Sequence, residues 1–440
     1  DGVKPDYSGW LRLGLGEVLI LLALFGDRTL DAADGSARAR AVVRSLLYDA
    51  SPERWWSLSR DFRLLAEAAP DTFLDAVNRG IDRGDQPIKA LFETDDRPFG
   101  GGEHLSDLLW ALEALAWSKS YLGAVVDVLA RLDEIDPGGQ FSNRPSESLR
   151  RIFLLWSPQT SASLDERLRL LRRLMDKRGD PAWKLLLAIL SKSHDMTVRG
   201  STPRWRDFSG EEAERVTYQL LHRGAVEITK LVIEHAGDNL SRWTELIERL
   251  NDLAPSPDNA IGALGDVLAR SRHQHRNDGD AIEGLRAALR QVLHRHRQFP
   301  NVGWSLKEPA LGALEKLYDS LDPGDLARRF AWLFRHGVHL PNPAVYGWRE
   351  QEEEVQQERR RAVCEVLETG GVDTLFEFSR SVERPGFVGG ALALAEVDDG
   401  TLNAVLERAL RSNDQRDRDL PVEAHRFEQR QQEATQRAGE

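Results

Sequence analysis

Apolar residues recur at spacings of three and four along almost the whole chain, and the strict alternation of a half-buried strand is scarce. That period commits the chain to amphipathic helix. In LLWALEALAWS the residues Leu108, Leu109, Leu112, Leu115 and Ala116 form one helical face. A single striped helix gains little stability alone and must bury its stripe against a neighbour. Pro and Gly cluster between the periodic stretches, which predicts roughly twenty helices of about 10 to 18 residues. Ser51-Pro52, Asp136-Pro137, Asp180-Pro181 and Asp322-Pro323 each place a capping side chain before a proline suited to the first helical turn.

Internal similarity narrows the architecture. The stretch ALEALAWSKSYLGAVVDVLARL (111–132) aligns with RLNDLAPSPDNAIGALGDVLARS (249–271) with one gap. Leu112, Leu115 and Ala116 then match Leu250, Leu253 and Ala254, and Asp127–Arg131 matches Asp266–Arg270. LLAEAAPDTFLDAV (64–77) is a weaker echo. Each copy reads as helix, turn, helix, and stacking such pairs builds a continuous core. The expected fold is all-α, an elongated right-handed array of stacked helical hairpins. Its expected parts are N-terminal repeats over 1–100, central repeats over 105–335 with a long loop at 191–208, and a C-terminal helical segment over 336–412. The tail 413–440, almost devoid of large apolar residues, is expected to be mobile or loosely helical.

Two stretches interrupt the pattern. FETDDRPFGGGEH (92–104) is a polar, Gly-rich connection, and 339–367 runs from a Pro-rich bend into a long helix. In that helix Glu352–Glu354 precede Arg359–Arg361, which reads mostly as a solvated face. The run VLILLALFG (18–26) falls short of the roughly 20 residues that cross a bilayer, and reads as a buried helix. The opening DGVKPDYSGW has neither an initiator Met nor a signal-peptide pattern, and is expected to be a piece of something longer.

With 71 acidic against 59 basic residues, a formal net charge of −12 argues against sequence-independent binding along nucleic acid. The single cysteine, Cys364, excludes an intramolecular disulfide and a Cys-rich zinc module, so a reducing, cytoplasmic setting is expected.

A phosphate-binding loop needs glycines plus a Lys followed by Ser or Thr, and neither Gly14-Leu15-Gly16 nor Gly100-Gly101-Gly102 has that context. His273 and His275, like His294 and His296, are two apart, which sends helical side chains to different faces. His336 and His339 are better spaced but stand without further ligands. Cys364 lies between small apolar residues without an identifiable activating partner. No catalytic residue, cofactor or metal is therefore expected. Trp110, Trp117, Trp156 and Trp183 fall in apolar helical stretches and are expected to lock helices. Trp55, Trp205 and Trp348 have polar neighbours and are candidate partner anchors.

The segment SKSHDMTVRGSTPRWRDF (191–208) supplies the candidate partner-binding residues His194, Asp195, Arg204, Trp205 and Arg206. Long loops on a rigid scaffold concentrate binding groups, and the Arg-Trp-Arg triplet joins an apolar anchor to charged donors. In the alternative reading the loop ties helices together: Trp205 folds back, Arg204 or Arg206 caps helix carbonyls, and His194 and Asp195 bond locally.

Residues 152–174 and 182–208, IFLLWSPQTSASLDERLRLLRRL and AWKLLLAILSKSHDMTVRGSTPRWRDF, resemble helical-repeat regions of very large bacterial multidomain proteins. These regions are similar to the C-terminal, HEAT- or TPR-like parts of STAND-type NTPases and related antiviral defence proteins, in which an effector and an NTPase precede the repeats. The resemblance runs loosely over 50–400. It implies a non-catalytic α-solenoid sensor that recognises a protein partner, a foreign or phage protein or another domain of the same chain, and relieves autoinhibition. It transfers no catalytic or nucleotide-binding residue. Two further classes stand beside it: a structural or oligomerisation scaffold without a ligand, and an enzyme with a nonlocal site.

Overall fold

The computed structural model describes residues 8–29, 34–93, 104–139, 142–192, 194–208, 213–270, 279–343, 347–395, 397–422 and 424–425. The fold is all-helical, with no strand among the described residues. Of the expectations above, most of the 92–104 connection, His273, His275 and the tail from 426 lie outside the described residues.

The contacts divide the chain into two compact units, Asp1–His235 with Asp252–Pro255, and Ala236–Asn251 with Ser256–Glu440. This division falls inside the 105–335 stretch that the sequence groups as one set of repeats.

Unit 1 is built from α1 (Gly9–Thr29), α2 (Gly35–Leu47), α3 (Pro52–Leu58), α4 (Phe62–Ala68) and α5 (Pro70–Asp82), followed by α6 (Leu105–Leu115), α7 (Lys119–Glu134), α8 (Pro145–Phe153), α9 (Leu164–Lys177), α10 (Gly179–Ala188) and α11 (Tyr218–Ala236). Helices pack on near neighbours in the chain: α4 on α5 and α6, α6 on α7 and α8, α7 on α8, and α9 on α10. Leu108, Leu109, Leu112, Leu115 and Ala116 are fully buried, as their spacing predicts. The echo at 64–77 is a helical hairpin too, with only Ala69 between α4 and α5.

Unit 2 contains α12 (Leu240–Ile247), α13 (Asp258–Arg270), α14 (Gly279–Gln298), α15 (Glu308–Ser320), α16 (Leu326–Phe330), α17 (Trp348–Ser381), α18 (Pro385–Leu394) and α19 (Asp399–Arg411). In the second repeat copy Asp266–Arg270 lies in α13, matching Asp127–Arg131 in α7. Its first half differs: Leu250–Asp252 is a 3-10 turn, not an α-helix, although Leu250 and, in the short piece assigned to unit 1, Leu253 are both buried.

Local signals succeed where the helix follows at once. Ser51 accepts the Arg54 amide at 3.3 Å and caps α3 with Pro52 in its first turn. At Asp136 no helix begins, because its carboxylate binds Arg144 and the Gly138 amide instead. Asp322 likewise pairs with Arg286 and Arg329, and Asp325 caps α16. Asp180 lies within the first turn of α10, one residue after its start.

Burial overturns several readings. Trp55, expected at the surface, is fully buried against Phe62, while Trp110 and Trp156 are 40% and 42% exposed. Arg359 is not on a solvated face: it is buried, with Nε donating to the Leu333 carbonyl at 2.7 Å and Nη2 to that of Arg335 at 2.9 Å. His294 and His296 are both buried, and Cys364 is half-buried. Beyond Ser412 the chain remains ordered for a turn or more, with 415–422 helical, Leu420 in the core and Asp417 paired with Arg380.

The run VLILLALFG is not a buried helix. It belongs to α1, which is long and apolar enough over Gly9–Arg28 to cross a membrane, and only 11% of its most apolar window is buried. Ile20 faces the core, and Arg12 bonds Ser57 and Asp61. The opposite face exposes Leu11, Leu15, Val18 and Phe25, all aliphatic or aromatic.

Candidate functional site

Residues 194–208 form a strap without helix or strand, held along its length by side chains of unit 1. A backbone that forms no ladder of its own must find donors and acceptors elsewhere. Here they come from α4, α6, α8 and the segment after α8.

At the first end, Asp195 sits between the Arg150 guanidinium and the Trp156 indole, whose Nε1 donates to it at 3.1 Å. Gln159, buried, then pairs with the strap at two points. Its Nε2 donates to the Val198 carbonyl at 3.2 Å, and its Oε1 accepts the Gly200 amide at 2.6 Å. A Cβ at Gly200 would lie 2.6 Å from both Gln159 Oε1 and Glu113 Oε2, so only glycine admits this approach.

Two buried carboxylates hold the rest. Glu113 on α6 accepts the Ser201 amide at 2.8 Å, the Ser148 hydroxyl at 2.7 Å and Arg151 Nη1 at 2.8 Å. The Trp117 indole donates to the Ser201 carbonyl at 3.1 Å. Glu67 on α4 accepts three consecutive amides, those of Arg204 at 2.9 Å, Trp205 at 2.7 Å and Arg206 at 3.0 Å. Burying a carboxylate is costly unless charged or dipolar donors surround it, and both glutamates are surrounded in this way.

Arg206 completes the anchorage. Its Nε donates to the Glu67 carbonyl and its Nη2 to that of Ala68 at 3.2 Å, satisfying the last turn of α4. Burial pulls the Arg206 guanidinium below its usual range, and Tyr121, Glu67 and Asp71 oppose that shift. A second buried arginine does the same for α8: Arg167 Nη1 donates to Phe153 and Leu154 carbonyls at 3.3 and 3.0 Å. Its desolvation lowers its pKa to about 10.

Each residue singled out from the sequence is thus placed. Asp195 bonds across the fold rather than locally. Arg206 caps helix carbonyls, Trp205 is half-buried with Arg204 5.9 Å above its ring, and the side chains of His194 and Arg204 are exposed. Met196 and Val198 are 89% and 74% exposed on the same strap, and Arg199 is exposed as well. Sequence reasoning missed Glu67 and Glu113. Their signal is a lone carboxylate near the end of the first helix of each hairpin, in LLAEAA and ALEALA, surrounded by core residues.

Among the described residues no three His, Cys, Asp or Glu side chains gather as a metal site would require. The strap supplies an outward display of apolar and cationic side chains on a fixed backbone. No family model matches the chain, and no curated protein or solved structure matches it.

Proposed function

We propose that this chain is a non-catalytic helical-repeat region whose hairpins stack within each unit as a right-handed α-solenoid, and that the strap displays its partner-binding surface. The partner is a protein, a foreign or phage protein or another domain of the same chain, and the setting is the bacterial cytoplasm. One observation carries the reading. The polar backbone of the strap is consumed internally while Met196, Val198, Arg199 and Arg204 point to solvent. A rigid display of that kind lowers the ordering cost of binding.

Two variants separate display from anchorage. Met196→Asp with Val198→Asp is expected to leave the melting temperature within about 1 °C, because exposed substitutions rarely disturb stability. The same variant is expected to abolish enrichment of a foreign protein from phage-infected bacteria; undiminished capture would defeat the reading. Arg206→Ala, by contrast, removes charged donors to α4 and is expected to cost about 2 kcal/mol, or roughly 5 °C in melting temperature.

The exposed face of α1 favours a second reading, an oligomerisation scaffold in which two copies bury Leu11, Leu15, Val18 and Phe25 against each other. Sedimentation velocity is then expected to show a dimer that Leu15→Gln with Val18→Gln converts to monomer. A monomer at all concentrations would end that reading.

A further inference from the structure

Within unit 2, α13, α14, α15 and the segment after α15 enclose a cleft of about 1030 Å³. That volume suits a small organic ligand. Among the described residues five cations line it, Arg286, Arg290, Lys316, Arg328 and Arg335, against three carboxylates, Glu283, Asp322 and Asp325. The excess of two positive charges contrasts with a chain whose net charge is −12.

Arg290 is the most telling of the five. It is 6% exposed, lies 3.8 Å from the centroid of the Trp332 ring and bonds Tyr318, yet no carboxylate among the described residues pairs with it. Arg335 and Arg286 add like-signed charge near it. Arg286 is 8% exposed and shares Asp322 with Arg329, and its own Nε is buried without a hydrogen-bond partner. A buried guanidinium normally has its donors satisfied and its charge balanced.

The Arg328 guanidinium lies directly beside Gly279, in space that a Cβ would occupy. The remaining walls are apolar, formed by Leu268, Ile282 and Leu317.

We infer that this cleft binds a small phosphomonoester carrying an apolar body, with Arg290 and Arg335 holding the phosphate and Leu268, Ile282 and Leu317 covering the body. A phosphomonoester near neutral pH carries close to the two negative charges the cleft lacks. Guanidinium forks match its oxygens. The site is in the other unit from the strap, so this inference stands or falls independently of the partner-binding reading.

Isothermal titration of the whole chain at low salt, with phenyl phosphate as the probe, tests it. Phenyl phosphate is expected to bind, inorganic phosphate to bind more weakly, and benzyl alcohol not to bind. Because Arg290 is buried, Arg335→Gln at the exposed rim is the variant that preserves the fold. It is expected to weaken phenyl phosphate about tenfold, the loss of one charge-assisted hydrogen bond, without changing the melting temperature of the free protein. Absence of binding at millimolar probe, or equal binding by wild type and Arg335→Gln, would overturn the site. Equal affinity for inorganic and phenyl phosphate would overturn the apolar-bodied ligand.

Discussion

Replacing Glu67 with alanine is expected to lower the melting temperature of unit 1 by about 10 °C, the largest single effect in the strap. Its carboxylate accepts three backbone amides in a row, at 2.7 to 3.0 Å, and is buried where water cannot substitute. Hydrogen bonds to a charged acceptor contribute roughly 1.5 to 3 kcal/mol each, and the three share one group, so a total of about 4 kcal/mol is reasonable. Glu67→Gln should cost about half as much, since its one carbonyl oxygen replaces two acceptors and its NH2 faces an amide donor. Hydrogen exchange is the direct readout. The amides of residues 204–206 should lose protection in the alanine variant; unchanged protection there would show that other contacts hold the strap.

Acidification is expected to destabilise unit 2. His296 is 3% exposed, its Nδ1 accepts the Leu306 amide at 3.1 Å, and its ring packs edge-on to Trp304. Burial, with the nearby charge of Arg295, lowers its pKa to about 4 from the ordinary imidazole value of 6.5. The unfolded chain therefore binds a proton that the folded chain refuses, and stability falls as pH drops from about 6.5 towards 4. By pH 5 the loss should reach about 2 kcal/mol, or roughly 5 °C for this unit. His294, whose pKa burial also lowers, with His339 alongside, acts in the same direction. Calorimetry at pH 7.5 and 5.0 checks the sign. His296→Gln should flatten the dependence, and an unchanged slope in that variant would assign it elsewhere.

The helical class was legible because periodicity is a local property. The apolar face at Leu108–Ala116 needed no knowledge of its partner to be read, and neither did the cap at Ser51. What failed was decided at a distance. Asp136 and Asp322 have the local signature of caps, but Arg144 and Arg286 claim their oxygens. Trp55 sits among polar neighbours in sequence, yet its helix turns it against Phe62. Of the strap, the position and the helix-capping role of Arg206 were readable as one of two alternatives. The glutamates that hold it were not, because nothing within a window around residue 205 points to position 67.

That separation has a consequence for how unit 1 behaves as a chain. The amides at 204–206 meet Glu67 across a sequence separation of 137 to 139 residues. In a repeat protein whose units touch only their neighbours, trimming from one end removes stability in steps and leaves the remainder folded. Here, deleting α4 would unmoor a segment that also covers α6 and α8, so shortened versions should fail together and not one by one. Contacts that close so long a loop form late and slow the search for the native state. Unit 1 should accordingly melt as a single cooperative block, and a nascent chain should close the strap onto α4 only once residue 206 has left the ribosome.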